Sequence, residues 1–106
     1  MIYATELAKQ VIAEALRSAN VDRRRGLRLT HGDGLFLELD EATDQDSVMF
    51  HDRKVVLIIG KDVEYELGPG LIDVLETAYG NDLVLRRKAE CKPLLNLDTE
   101  HNPGQN

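Results

Sequence analysis

The residues of this chain that could do chemistry are few and scattered. Cys91 is its only cysteine, and its histidines are His31, His51 and His101. Thiolate, imidazole and carboxylate are all competent iron or zinc ligands. No HxxxH or CxxC spacing ties these side chains together, and surface histidine is the plain account of His51 and His101. His31 and Asp33 share the segment His31-Gly32-Asp33-Gly34, whose composition is also that of a tight turn, where Asp and Gly are abundant for backbone reasons. In such a turn, Gly32 or Gly34 is expected to take a conformation that penalises a Cβ.

Acidic residues form a second group: Asp40, Glu41, Asp44 and Asp46 lie close in sequence, and Asp73 precedes Glu76. Paired carboxylates perform acid–base catalysis only where a pocket separates their pKa values and holds a substrate. Most of these acids fall in a polar stretch where charge is simply solvated. The chain has no GxSxG elbow, no phosphate-binding glycine loop and no nucleophile–base pair in a recognisable context. It is therefore read as not an enzyme, and a small enzyme using the acidic loop is the alternative from another class.

Charge narrows the partners. Against 19 acidic residues stand 13 basic ones, a formal net charge of −6, which disfavours nucleic acid and anionic membranes. With only three tyrosines and two phenylalanines and no recognisable binding motif, nucleic acid is not expected as a partner. The basic clusters Arg23-Arg24-Arg25 and Arg86-Arg87-Lys88 flank the central region. They either meet as a small anion-binding patch or stand as solvated strand ends that resist edge pairing. No apolar run approaches the roughly 20 residues of a membrane span. Glu6 and Lys9 interrupt what would be the apolar core of a signal peptide. A single cysteine excludes an intramolecular disulfide and suits a reducing compartment, so the expected location is cytoplasmic.

Several elements must position these residues. Leu7, Ala8, Val11, Ile12, Ala15 and Leu16 recur at helical spacing over residues 5–19; Thr5 suits the N-cap and Asn20 the stop. Leu27 and Leu29, then Leu35, Leu37 and Leu39, alternate with polar residues as two strands of a hairpin. Val48 and Phe50 pair with Val55, Leu57 and Ile59 across His51–Lys54, and the unbroken VVLII run implies burial on both faces. Residues 61–67 are ambiguous between helix and strand, with Asp62 a possible helix cap. Gly68-Pro69-Gly70 ends that segment. Leu71–Thr77 and Leu83–Leu85 form a third hairpin turning at residues 79–82. From Pro93 onward there is no lysine or arginine, and the polar composition predicts a flexible tail. The domain is thus expected over residues 1–92, with the tail over 93–106.

The stretch from Gly26 to Leu85 resembles the HesB/IscA family of A-type iron–sulfur cluster carriers. The segments LELDEA, KVVLIIGKDVEYELG and LIDVLETAYGNDLVL carry the likeness, which extends over residues 1 to about 91 in segment order and hydrophobic register. The resemblance implies an α+β, mostly β, HesB-like domain in which an N-terminal helix packs on a compact, mainly antiparallel sheet of about six strands. It also favours a helical turn over residues 61–67.

Members of that family carry one cysteine in the loop between the first two strands and two near the C-terminus. Here the first position falls within His31–Gly34, and the C-terminal pair is reduced to Cys91. What the resemblance leaves is either a sparse metal site of His31, Asp33 and Cys91, or turn residues and a small residue at a strand end. Iron or an iron–sulfur cluster is the cofactor suggested by resemblance alone. One thiolate per chain is short of the four that usual clusters require. The function implied is a non-enzymatic binding or accessory role related to iron–sulfur cluster assembly, without the capacity to hold a cluster alone. The alternative is a protein-interaction module of the same fold with no role in metal metabolism. A second copy of the chain, as a homodimer, or iron–sulfur assembly proteins are the partners implied.

Overall fold

The computed structural model describes residues 1–88 and 90–96. A short strand, β1 (Ile2–Ala4), leads into helix α1 (Glu6–Ser18). Thr5 caps the helix: its hydroxyl accepts a hydrogen bond from the Ala8 N–H at 3.0 Å, satisfying a donor that the first turn leaves open. The buried stripe of α1 is Ala8, Ile12, Ala13 and Leu16, so Leu7 lies outside it, half exposed. The helix stops at Asn20, whose φ of 58° reverses the chain. Asn20 N–H donates to the Arg17 carbonyl and Val21 N–H to the Leu16 carbonyl, the paired bonds of a Schellman ending.

Strands β2 (Arg25–His31) and β3 (Leu35–Glu41) form an antiparallel hairpin in continuous register from Arg25 opposite Glu41 to His31 opposite Leu35. Leu27, Leu29, Leu35 and Leu37 alternate into the core. Strands β4 (Asp46–His51) and β5 (Lys54–Gly60) form the next hairpin, with a bulge at Met49/Phe50. Val56, Leu57, Ile58 and Ile59 have no exposed surface at all, as their unbroken apolar run implied. Helix α2 (Lys61–Leu67) follows directly. Gly60 is its N-cap and no side chain caps it; Asp62 instead lies in the first turn, where its charge suits the helix dipole. Gly68, at φ 75°, closes the helix by donating to the Glu64 carbonyl.

Strands β6 (Gly70–Thr77) and β7 (Gly80–Arg87) pair from Leu71 opposite Arg86 to Thr77 opposite Gly80. Their turn is therefore Ala78-Tyr79, earlier than the residue types suggest. Thr77 and the positive φ of Gly80 set it: Tyr79 N–H donates to the Thr77 hydroxyl, which donates to the Gly80 carbonyl.

The described strands form one sheet in the order β1-β6-β7-β8-β3-β2-β5-β4, with β8 spanning Glu90–Asn96. Strand β8 joins the two halves. Its residues Glu90–Pro93 pair antiparallel with β7, and Leu94–Asn96 pair parallel with β3. The architecture is the expected α+β, mostly β domain, with α1 packed chiefly on β5, β4 and β6. Two strands were not foreseen. β1 is only three residues long, and β8 contains Pro93, which lacks the N–H that a strand interior normally uses. Residues 93–96, assigned by composition to a tail, are thus part of the sheet. The remainder of that assignment, with His101, lies outside the described residues.

Candidate functional site

Strand register brings the chemically interesting residues to one end of the sheet. Leu35 begins β3 opposite Leu94 on the parallel strand β8. The loop 32–34 therefore lies at the end from which β8 starts, where Cys91 faces Arg86 across the ladder. The end of α2 arrives at the same place. His31 Nδ1 lies 3.1 Å from Glu66 Oε1, and the Leu67 carbonyl accepts a hydrogen bond from Arg87. Sequence spacing could not reveal the His31–Glu66 pair, because only the packing of α2 against β2 brings them together.

Cys91 is exposed and unpaired. Its Sγ stands 3.8 Å from Arg86 Nη1. The same guanidinium donates from Nε to Asp73 Oδ2 at 3.1 Å. Asp73 Oδ1 accepts from the Val74 N–H at 2.8 Å and from the Thr5 hydroxyl at 3.3 Å. The Val74 N–H and then Arg86 hold the Asp73 carboxyl below its ordinary pKa. Asp73 is thus an anchor that ties the cap of α1 to β7, and its neighbour in sequence, Glu76, is not among its partners.

The loop 31–34 is a turn closed by Gly32 N–H donating to the Gly34 carbonyl at 2.9 Å. Neither glycine has a positive φ, contrary to the sequence expectation. A Cβ at Gly32 would meet nothing within 4 Å. The hairpin closes with ordinary backbone angles, so these glycines are not steric necessities. Asp33 is exposed. Among the described residues, no three His, Cys, Asp or Glu side chains gather into a group able to hold a metal ion. His31, Asp33 and Cys91 share an end of the sheet without converging on a point.

The acidic stretch 40–46 proves to be built around a cation. Arg28, on β2, donates from Nη1 and Nη2 to the two oxygens of Asp46 at 3.0 and 2.8 Å, and from Nε to Asp40 at 2.6 Å. The Thr43 N–H and hydroxyl also reach Asp46. The Asp46 side chain is only 6% exposed. Arg28 and Thr43 hold its carboxyl far below the usual carboxylate range, and the two aspartates raise the guanidinium in turn. Such a bidentate clamp fixes strands and commits Asp40 and Asp46 to Arg28. The two basic clusters do not meet through the ladders. Arg25 lies opposite Glu41 at the far end of β2, whereas Arg87 lies opposite Glu90, where β8 starts.

No protein-family model matches the chain, and no curated protein matches it in sequence. Its fold does have counterparts. SufA of Escherichia coli, a protein involved in the biosynthesis of iron–sulfur clusters, superposes with a TM-score of 0.61 at 17% identity, over 84% of this chain and 87% of that one. IscA, solved with a [2Fe-2S] cluster, superposes with a TM-score of 0.53 at 18% identity, over 83% and 86%. The chain has the HesB/IscA-like fold of A-type iron–sulfur carriers, as the sequence resemblance implied.

Proposed function

We propose that this protein is a non-enzymatic binding or accessory factor of iron–sulfur cluster assembly that shares the carrier fold but holds no cluster by itself. The fold shared with SufA and IscA supports the assembly role. The single thiolate, Cys91, supports the restriction. One thiolate per chain, or two in a homodimer, falls short of the four that ligate the usual clusters. His31, Asp33 and Cys91 could each contact iron singly at the sheet end just described, Cys91 as a soft ligand and the others as harder ones. Among the described residues they form no joint site. The protein works in the cytoplasm, where its free thiol stays reduced, and it acts with itself as a homodimer or with assembly proteins.

Anaerobic reconstitution with iron and sulfide tests this reading. The expected product carries iron and sulfide well below one cluster per dimer and lacks stable charge-transfer absorbance. Stoichiometric iron and sulfide, with absorbance that disappears in Cys91→Ser, would make the protein a cluster carrier and defeat the proposal.

A further inference from the structure

A groove of about 580 Å³ runs between the end of α2 and the hairpin joining β7 to β8. Its volume is in the range of ligand-binding clefts. Leu67, Pro69 and Leu71 form an apolar floor. The stem of Arg87 lies over Gly70 beside this floor, where an added Cβ would approach Arg87 Cγ to 3.2 Å. Leu71 is 37% exposed, an apolar side chain left without a full complement of neighbours.

The backbone of the floor has little to offer a ligand. Pro69 has no N–H, the Gly70 N–H is spent on the Met1 carbonyl, and the Leu67 carbonyl is taken by Arg87. Recognition of anything polar therefore falls to the rim, where Arg86, Arg87 and Lys88 stand consecutively. Arg87 is committed to Leu67 and Glu90. Arg86 spends Nε on Asp73 and has Nη2 free of any hydrogen bond among the described residues. Lys88 has no ion pair among the described residues. Asp73 and Glu90 balance the two arginines. Lys88 and the open edge of Arg86 thus supply the available positive charge beside the apolar trough, in a protein of net charge −6.

We propose that the groove docks a short acidic segment of a partner protein, in which one bulky apolar side chain covers Leu67 and Leu71 while an adjacent carboxylate pairs with Lys88 and Arg86. Charge complementarity selects the flanking residues, and the apolar floor selects the anchor. The trough is partly open to solvent, so a segment of another chain can reach its lining. The docking needs no metal and does not depend on the assembly role.

The test uses metal-free full-length protein and three fluorescein-labelled peptide sets, each with a central leucine or phenylalanine flanked by aspartate and glutamate, by serine, or by lysine. Acid-flanked peptides are expected to bind at least tenfold more tightly than serine-flanked ones, with affinity falling as salt rises, and lysine-flanked peptides are expected not to bind. Lys88→Glu should reverse the preference, a gain that misfolding cannot produce. Leu71→Glu should abolish binding while the far-ultraviolet spectrum stays unchanged. Equal affinity for all three sets, or a preference untouched by Lys88→Glu, would overturn the proposal. So would displacement of every peptide by laurate at lower concentration, or dimerisation of the chain that Leu71→Glu removes, since these would give the groove to a small amphiphile or to a second copy.

Discussion

Arg28 and Asp46 meet through two parallel hydrogen bonds, at 3.0 and 2.8 Å, joining the second strand to the start of the fourth. Asp46→Asn removes the charge from this pair and leaves Arg28 incompletely matched. The expected loss is about 2–3 kcal/mol at neutral pH, read from urea unfolding.

The same pair gives a pH dependence of definite sign. The carboxyl of Asp46 is depressed in the folded protein relative to its unfolded value of about 3.9. Its contribution is therefore complete above roughly pH 5 and is lost as pH falls below 4 toward the folded value. The stability difference between the parent protein and Asp46→Asn should shrink over that interval. A difference that stays constant from pH 6 to pH 3 would contradict the clamp.

The turn between β4 and β5 places Asp52 at φ 52° and Arg53 at φ 67°, the positive pair that a two-residue type I′ hairpin turn requires. Arginine pays a steric cost there that glycine does not. Arg53→Gly is expected to stabilise the protein by about 0.5–1 kcal/mol, seen as a rise of a few degrees in Tm.

Gly26 and Gly32 should respond oppositely to alanine. A Cβ at Gly26 would lie 2.8 Å from Val55 Cγ1 and 3.0 Å from the Val56 carbonyl oxygen, and the latter belongs to backbone that cannot swing away. Gly26→Ala should cost about 1–3 kcal/mol. Gly32→Ala, in open space and without a positive φ, should stay within about 0.5 kcal/mol. Equal losses in the two variants would mean that contact at Gly26 is not the determinant.

Folding should not require metal, because the core of Ile12, Leu29, Leu57, Ile72 and Leu85 is assembled wholly from apolar side chains. Chelator-treated and untreated protein should melt at the same temperature, and Cys91→Ser should melt with them. A large drop with chelator would require a metal site that supports the fold.

Periodicity alone was enough for α1, for the β2–β3 and β4–β5 hairpins and for the buried run of β5, because each buries a face whose repeat is written in consecutive residues. It also located Asn20 as a helix stop, since the αL preference of asparagine is local chemistry. Three-residue β1 and Pro93-containing β8 carry no such repeat; they are strands only because β6, β7 and β3 offer ladders to complete. The acids of residues 40–46 read as a solvated loop until Arg28, far back in the chain, closed on Asp40 and Asp46. The sequence likewise showed that Cys91 is the sole thiol. That Cys91, His31 and the groove share one end of the sheet was decided by tertiary structure. The parallel pairing of β3 with β8 is a long-range contact, and no local preference encodes which strands will become neighbours.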